Sequence, residues 1–388
     1  MTLSHRKSSG SGRHLLVVVI LWLVHPRHAR AEDSVSYKFQ DYSESDGRIA
    51  VQVHSTLIEK DLGASMHIEV FGIIDTIAGA TPTGQPERTP GEGVPLSHIE
   101  ERRKAWSVDL SRQFSNVKIT VGVANSRESD YVSHGWSVNA ETAFNQKNTT
   151  LTTGVAVLGD DVKVFYQAPW ERKETIEIIA GVNQLLDART AVTFNLTFSH
   201  ATGYLSDPYK LVEKNVEVLP GIFLPRTFSE NRPDQRTKWL ALIALNRAYP
   251  DLGGAIDASY RFHRDDFGIT SHNLNLEWYQ KLGAKLVLRP SLRFFTQNAA
   301  DFYLVSLDGS SIAPPAIPTG RGPFYSADYR LSDLHTFNYG LKAVWMAGEA
   351  WQLDVAVEKY EMHGRDGRTS ASAYPRALIV TAGLKFAF

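Results

Sequence analysis

The sequence predicts an all-β transmembrane barrel of about sixteen antiparallel strands, with fourteen to eighteen as the range the pattern allows. Three observations predict it. Segments of about ten residues alternate apolar and polar side chains with period two, as strands with two different faces do. The polar faces carry long charged residues in mid-strand, while the apolar faces carry aromatics near the strand ends. A water-lined lumen and a lipid band with aromatic girdles require this division. The connections also sort by parity. Those after even-numbered strands are short and several after odd-numbered strands are long, as in barrels with periplasmic turns and extracellular loops. A soluble sandwich alternates too, but it has no reason to sort its loops.

Composition narrows the alternatives. The chain has 388 residues, 43% of them hydrophobic and 21% charged, which is too apolar for a disordered chain. Its longest apolar run, residues 15–24, is half of what a membrane-spanning helix needs. The absence of cysteine removes disulfides, thiolate metal sites, thiol catalysis and thioether-linked haem. No cofactor is expected, and no basic block points to nucleic acid.

Taken in order, residues 1–31 read as a cleaved secretory signal. Arg6, Lys7 and Arg13 precede the apolar run, and Ala29-Arg30-Ala31 offers small residues where a signal peptidase cuts. Residues 32–388 then form a single barrel domain in the outer membrane of a Gram-negative bacterium, reached through the general secretory route. The alternation places strands at 34–43, 47–60, 64–76, 102–114, 117–127, 130–144, 148–158, 172–185, 189–203, 236–248, 254–265, 268–281, 285–297, 328–346, 350–361 and 375–388. The long connections are 77–101, 159–171, 204–235, 298–327 and 362–374. The connections 44–46, 128–129 and 266–267 also follow odd strands and are short, so the sorting is one-sided. Closure gives every backbone N–H and C=O a partner where lipid offers none.

The faces follow from parity. Leu274, Leu276, Trp278, Leu353, Val355, Val357 and Phe386 are expected against lipid. Asp257, Arg261, Glu277, Lys285, Arg289, Arg293, Lys342, Asp354 and Glu358 are expected to line the lumen. They act there as a solute filter or as a cross-strand ion-pair ladder, and their mixed signs argue for no strong ion preference. The last strand ends in Phe386-Ala387-Phe388, and its terminal aromatic is similar to the signal read by the outer-membrane insertion machinery.

Five short stretches together resemble one family: FNQKNTT at 144–150, GYLSDPYK at 203–210, ENRPD at 230–234, QNAADFY at 297–303 and SADYR at 326–330. The family consists of Gram-negative outer-membrane proteins catalogued as a domain of unknown function and often grouped with porins. The resemblance implies a barrel and supplies no catalytic residues.

The functional expectation is a porin-like passive channel for small solutes. The alternative is a non-conducting barrel that anchors or sheathes a periplasmic or redox partner. Outer-membrane lipid and the insertion machinery are the expected partners in both. The loop 204–234 is expected to be either a lid or inward-folded constriction, with the apolar residues 216–224 covered by the lumen mouth, or a surface loop braced on its neighbours. His263, Asp265 and Asp266 cluster at a strand end, but this spacing is too unspecific for a metal site. No nucleophile motif of the Gly-x-Ser-x-Gly kind occurs, so an enzyme is not expected.

Overall fold

The computed structural model describes residues 33–164 and 169–388. The expected signal segment lies outside them. The strands are β1 (Ser34–Glu44), β2 (Ala50–Asp61), β3 (Met66–Pro82), β4 (Leu96–Phe114), β5 (Val117–Arg127), β6 (Tyr131–Phe144), β7 (Thr149–Lys163), β8 (Trp170–Asp187) and β9 (Thr190–Gly203). They continue as β10 (Leu211–Leu219), β11 (Ile222–Ser229), β12 (Gln235–Tyr249), β13 (Gly254–Asp265), β14 (Thr270–Leu282), β15 (Leu286–Gln297), β16 (Leu334–Met346), β17 (Trp351–Gly364) and β18 (Arg376–Ala387). All but β10 and β11 form one closed antiparallel barrel of sixteen strands, and those two make a separate hairpin in the loop after β9. Closure runs from Ser34 opposite Ala387 to Glu44 opposite Ala377.

Residues directly opposite each other on antiparallel neighbours share a face, so the register sorts the side chains. Along β17, Trp351, Leu353, Val355 and Val357 are exposed on the outer surface, while Asp354 and Ala356 between them are buried. Leu274 and Leu276 on β14 are exposed in the same way. The outer face has two aromatic levels. Trp106 and Phe114 on β4, Trp136 and Phe144 on β6, and Phe337 and Trp345 on β16 are exposed pairs, each eight residues apart in sequence. That spacing is about 26 Å along a strand, or roughly 20 Å across the membrane once the strand tilts, most of the height of the lipid-facing band. Trp278 sits at the turn-end level and packs on Tyr249, with ring centroids 5.8 Å apart. Phe386 lies 4.5 Å from Trp351.

The structure corrects several boundaries, among them the end of β7, which runs to Lys163 and leaves the expected long connection 159–171 short. Residues 328–333 do not begin a strand. Tyr329–Leu331 form a 3-10 turn capped by the Asp328 side chain, and β16 starts at Leu334. Strands β3 and β4 pair out to Pro82 opposite Leu96, so the loop between them is shorter than expected. The connection after β9 is a structured hairpin, and its tip residues Leu219, Ile222, Phe223 and Leu224 are 50–60% exposed. The expectation that the lumen mouth covers this apolar stretch is therefore wrong. Cross-strand pairing holds it in a hairpin that leaves the tip projecting.

The hydrophobic cores lie at the loop end of the barrel. One cluster joins Phe267, Ile269, Ala300, Phe302 and Leu331. A second joins Val212, Leu307, Tyr325 and Ala327. A third joins Tyr329, Leu334, Ala373 and Tyr374.

Candidate functional site: a charged lumen beneath a salt-bridged cap

The interior is ordered in rungs, each running through directly opposed residues of successive strands. One rung holds Asp257, Glu277, Ser291, Gly340 and Glu358. Arg289 pairs with Glu277 at 3.2 Å and donates to the Tyr279 hydroxyl at 3.3 Å. Glu358 acts electrostatically on the same guanidinium, and Asn246 donates to Asp257 at 2.8 Å. Nearer the turns, Lys342 pairs with Asp354 at 2.5 Å. Lys285 stands apart from this ladder. It is exposed in the turn before β15, where its carbonyl accepts from the Met346 amide. Arg261 and Arg293 face the lumen with no hydrogen bond or ion pair among the described residues, and Arg293 is exposed to it. The cross-strand ladder therefore exists, but it does not use every charge.

The far wall carries lumen-facing acids that the sequence reading left out. Glu59, Glu69 and Asp109 are successive opposed residues on β2, β3 and β4. The parity argument applied to those strands would have found them. Glu59, His67 and Glu69 place possible ligand atoms within 4.8 Å of one another. Glu59 already accepts from Ser34 Oγ at 2.9 Å and from Lys385 Nζ at 3.3 Å, so an ammonium supplies positive charge there. His263, Asp265 and Asp266 are structural. Asp265 takes the Phe267 and Ile269 amides and the Arg236 guanidinium, and Asp266 takes the Thr237 amide.

At the loop end, three segments meet from β3, β9 and β16, which stand five, six and five strands apart around the ring. Loops anchored so evenly converge over the middle of the mouth. Lys210, fully buried, donates to the Pro82 carbonyl at the end of β3. Arg232 pairs with Glu230 at 2.7 Å and with Asp328 at 2.8 Å. Arg330 reaches Asp207 at 2.8 Å and also holds Asp328. Ser326 Oγ donates to Glu230 at 2.5 Å. Asn231 and Tyr325 exchange backbone bonds at 3.0 Å in both directions. The family-like stretches GYLSDPYK, ENRPD and SADYR thus meet in one buried network. The other loops fasten to its rim: Tyr209 donates to Asp130, Tyr303 bonds Thr369 at 2.5 Å, and Arg48 donates to the Ser372 carbonyl at 2.8 Å.

The electrostatics of this cap are balanced, with Lys210, Arg232 and Arg330 facing Asp207, Glu230 and Asp328. Burial, with the nearby Asp207 and Asp328 charges, pushes the Glu230 carboxyl up to about 7 against the pull of Arg232. Burial pushes the Lys210 ammonium down to about 8. Burial also presses on Asp328, but Arg330, Lys210 and Arg232 together hold it well below the usual carboxylate range.

Gly203, at the end of β9, gives the chain the turn that enters the cap. Its φ is +103°, and a Cβ there would lie 2.1 Å from the Arg172 carbonyl oxygen. At the opposite end of the barrel the C-terminus is stitched in: the Phe388 amide donates to the Asp33 carbonyl at 2.8 Å, and Lys60 lies over its ring.

The family model described as "Protein of unknown function (DUF3570)" matches residues 85–172 and 165–374. No curated protein matches. Among solved structures, a bacterial polysaccharide outer membrane secretin is 7% identical, with a TM-score of 0.50, over 93% of this chain and 99% of that one. The siderophore receptor PirA from Pseudomonas aeruginosa is 10% identical, with a TM-score of 0.46, over 92% of this chain. This chain spans 62% of that receptor's length. OmpT of Vibrio cholerae, in a loop L8 deletion mutant, is 7% identical, with a TM-score of 0.42, over 92% of this chain and 98% of that one. At these identities the likeness concerns the fold alone.

Proposed function

Since the chain belongs to the DUF3570 family, whose description gives no activity, its role has to be read from its geometry, and we propose that it is a porin-like channel for small solutes whose outer mouth is controlled by the salt-bridged cap. The observation that carries this reading is where the apolar cores lie. All three buried clusters combine loop residues with strand ends around the mouth, while the mid-barrel interior is lined by charged and amide side chains. A lumen that shows no packed apolar core among the described residues, with Arg293 exposed inside it, suits water and passing solutes. Substrate, gating and partners belong to the proposal, as does the absence of catalysis.

The cap also supports the second reading, a non-conducting barrel that anchors or sheathes a periplasmic partner, because six linked charges, three of them fully buried, resist opening. Conductance separates the two. Purified protein in planar bilayers should conduct, and replacing residues 211–229 by a short Gly/Ser link should raise the conductance of an assembled barrel. An assembled barrel that stays silent with and without the hairpin would overturn the channel reading.

A further inference from the structure

Along β13–β17, two neighbouring rungs of the lumen hold arginines that make no hydrogen bond or ion pair among the described residues. The first runs Arg261, Asn273, Phe295, Thr336 and Met362, and the second runs Ser259, Asn275, Arg293, Asn338 and Tyr360. Asn273, Arg293, Phe295, Asn338 and Tyr360 are among the residues around a lumen recess of about 260 Å³. Arg261 stands directly opposite Asn273 at its edge. Arg261 on β13 and Arg293 on β15 lie two strands and one rung apart on this face. The acids on the rung below are engaged elsewhere: Glu277 by Arg289, Asp257 by Asn246, and Glu358 beside Arg289.

Two like charges held together in a lumen otherwise laced with ion pairs call for an anion. Guanidinium forks match the planar geometry of a carboxylate, and the Asn273 and Asn338 amides add hydrogen-bonding groups. Phe295 and Met362 supply apolar surface on the same side, which an inorganic anion would leave unused. We propose that this recess is a binding site for a small organic carboxylate, with its head on Arg261 and Arg293 and its apolar body against Phe295 and Met362. The site rests on the channel reading for its role, as a selectivity station that favours organic anions in transit.

The test uses the full-length purified barrel and three probes: benzoate, inorganic phosphate and the uncharged benzyl alcohol. Binding is measured by calorimetry in detergent, and ionic current is measured in planar bilayers. Benzoate should bind at millimolar concentration or better and reduce the current, while benzyl alcohol should do neither and phosphate should bind more weakly than benzoate. Arg261→Gln and Arg293→Gln should each weaken benzoate binding about tenfold, and the corresponding Lys variants should recover part of the loss. Retention of the heat-sensitive gel mobility of the folded barrel shows that a variant has assembled. Benzoate binding that is absent in the parent, or unchanged in the double Gln variant, overturns the site. Phosphate binding as tight as benzoate overturns the organic-anion assignment. Current without benzoate binding leaves the channel reading standing and removes this site, whereas benzoate binding without current does the reverse.

Discussion

In the wall, from β12 to β18, adjacent strands are laced by long backbone ladders, and residues such as Val355 and Leu341 lie exposed on the lipid-facing side. In the cap, six charged side chains from loops that start a third of the ring apart meet in one network whose centre, Lys210, Glu230 and Asp328, is fully buried. The wall spreads its stability over many similar contacts, so one altered side chain disturbs only its own surroundings. The cap concentrates its stability in a balanced set of charges, and each of them leaves an uncompensated partner behind when it is removed. A barrel designed only to persist would not need the second arrangement. On the proposed channel reading, the part of the molecule that changes state is at the loop end.

The largest expected effect tests that concentration. Arg232→Ala leaves Glu230 and Asp328 buried without their shared cation, a loss of about 3–5 kcal/mol. Hydrogen exchange should rise in residues 204–234 and 320–333 while the barrel strands stay protected. Equal loosening of cap and wall would show that the two are a single cooperative unit.

In the wall, Val355→Arg places a charge against lipid, at about 2–4 kcal/mol near mid-membrane. Its neighbour Asp354 faces the lumen and pairs with Lys342. The Val355 variant should lose heat resistance on gels by more than Asp354→Asn does. The opposite order would invert the face assignment.

Gly203→Ala tests the joint between the regions. It sets a methyl group against the Arg172 carbonyl in a backbone conformation that L side chains rarely adopt, at roughly 1–3 kcal/mol. Protease should then cut between 204 and 234 faster than in the parent, with the barrel core intact.

A smaller effect follows from pH. The Glu230 carboxyl is raised to about 7 by burial, above its value in an open, hydrated loop. The closed cap therefore holds a proton that the open one releases between those two values. This contribution is fully present below the ordinary carboxylate range and is lost as pH rises through about 7. Channel opening should become more frequent from pH 5.5 to 7.5, and Glu230→Gln should flatten that dependence. The smallest effect on finished stability is that of removing Phe388. The deletion should slow insertion and leave unassembled chain in the periplasm, with the melting of the assembled barrel almost unchanged. Normal assembly kinetics would leave Phe388 as a girdle residue only.

The same contrast explains what could be read in the sequence. Strands such as β14 and β17 were legible because period-two alternation is a local signal that one strand displays alone. Lumen residues such as Lys342 and Asp354 follow from that parity, although their pairing needs the register. The cap was legible only as scattered short stretches. Nothing near Lys210 in sequence indicates Pro82 or Asp328, because the convergence comes from the spacing of β3, β9 and β16 around the ring. The hairpin β10–β11 was missed for a different reason. Its apolar residues were read as a surface needing cover, whereas backbone pairing fixes them in place and leaves the tip exposed.

Single-channel recording of the parent and of Arg232→Ala in planar bilayers tests the central claim most directly. The parent should conduct in small steps, and the variant, still folded by gel mobility, should open more often and to larger steps. An assembled parent and an assembled variant that both carry no current would contradict it, and would leave the barrel as a closed sleeve.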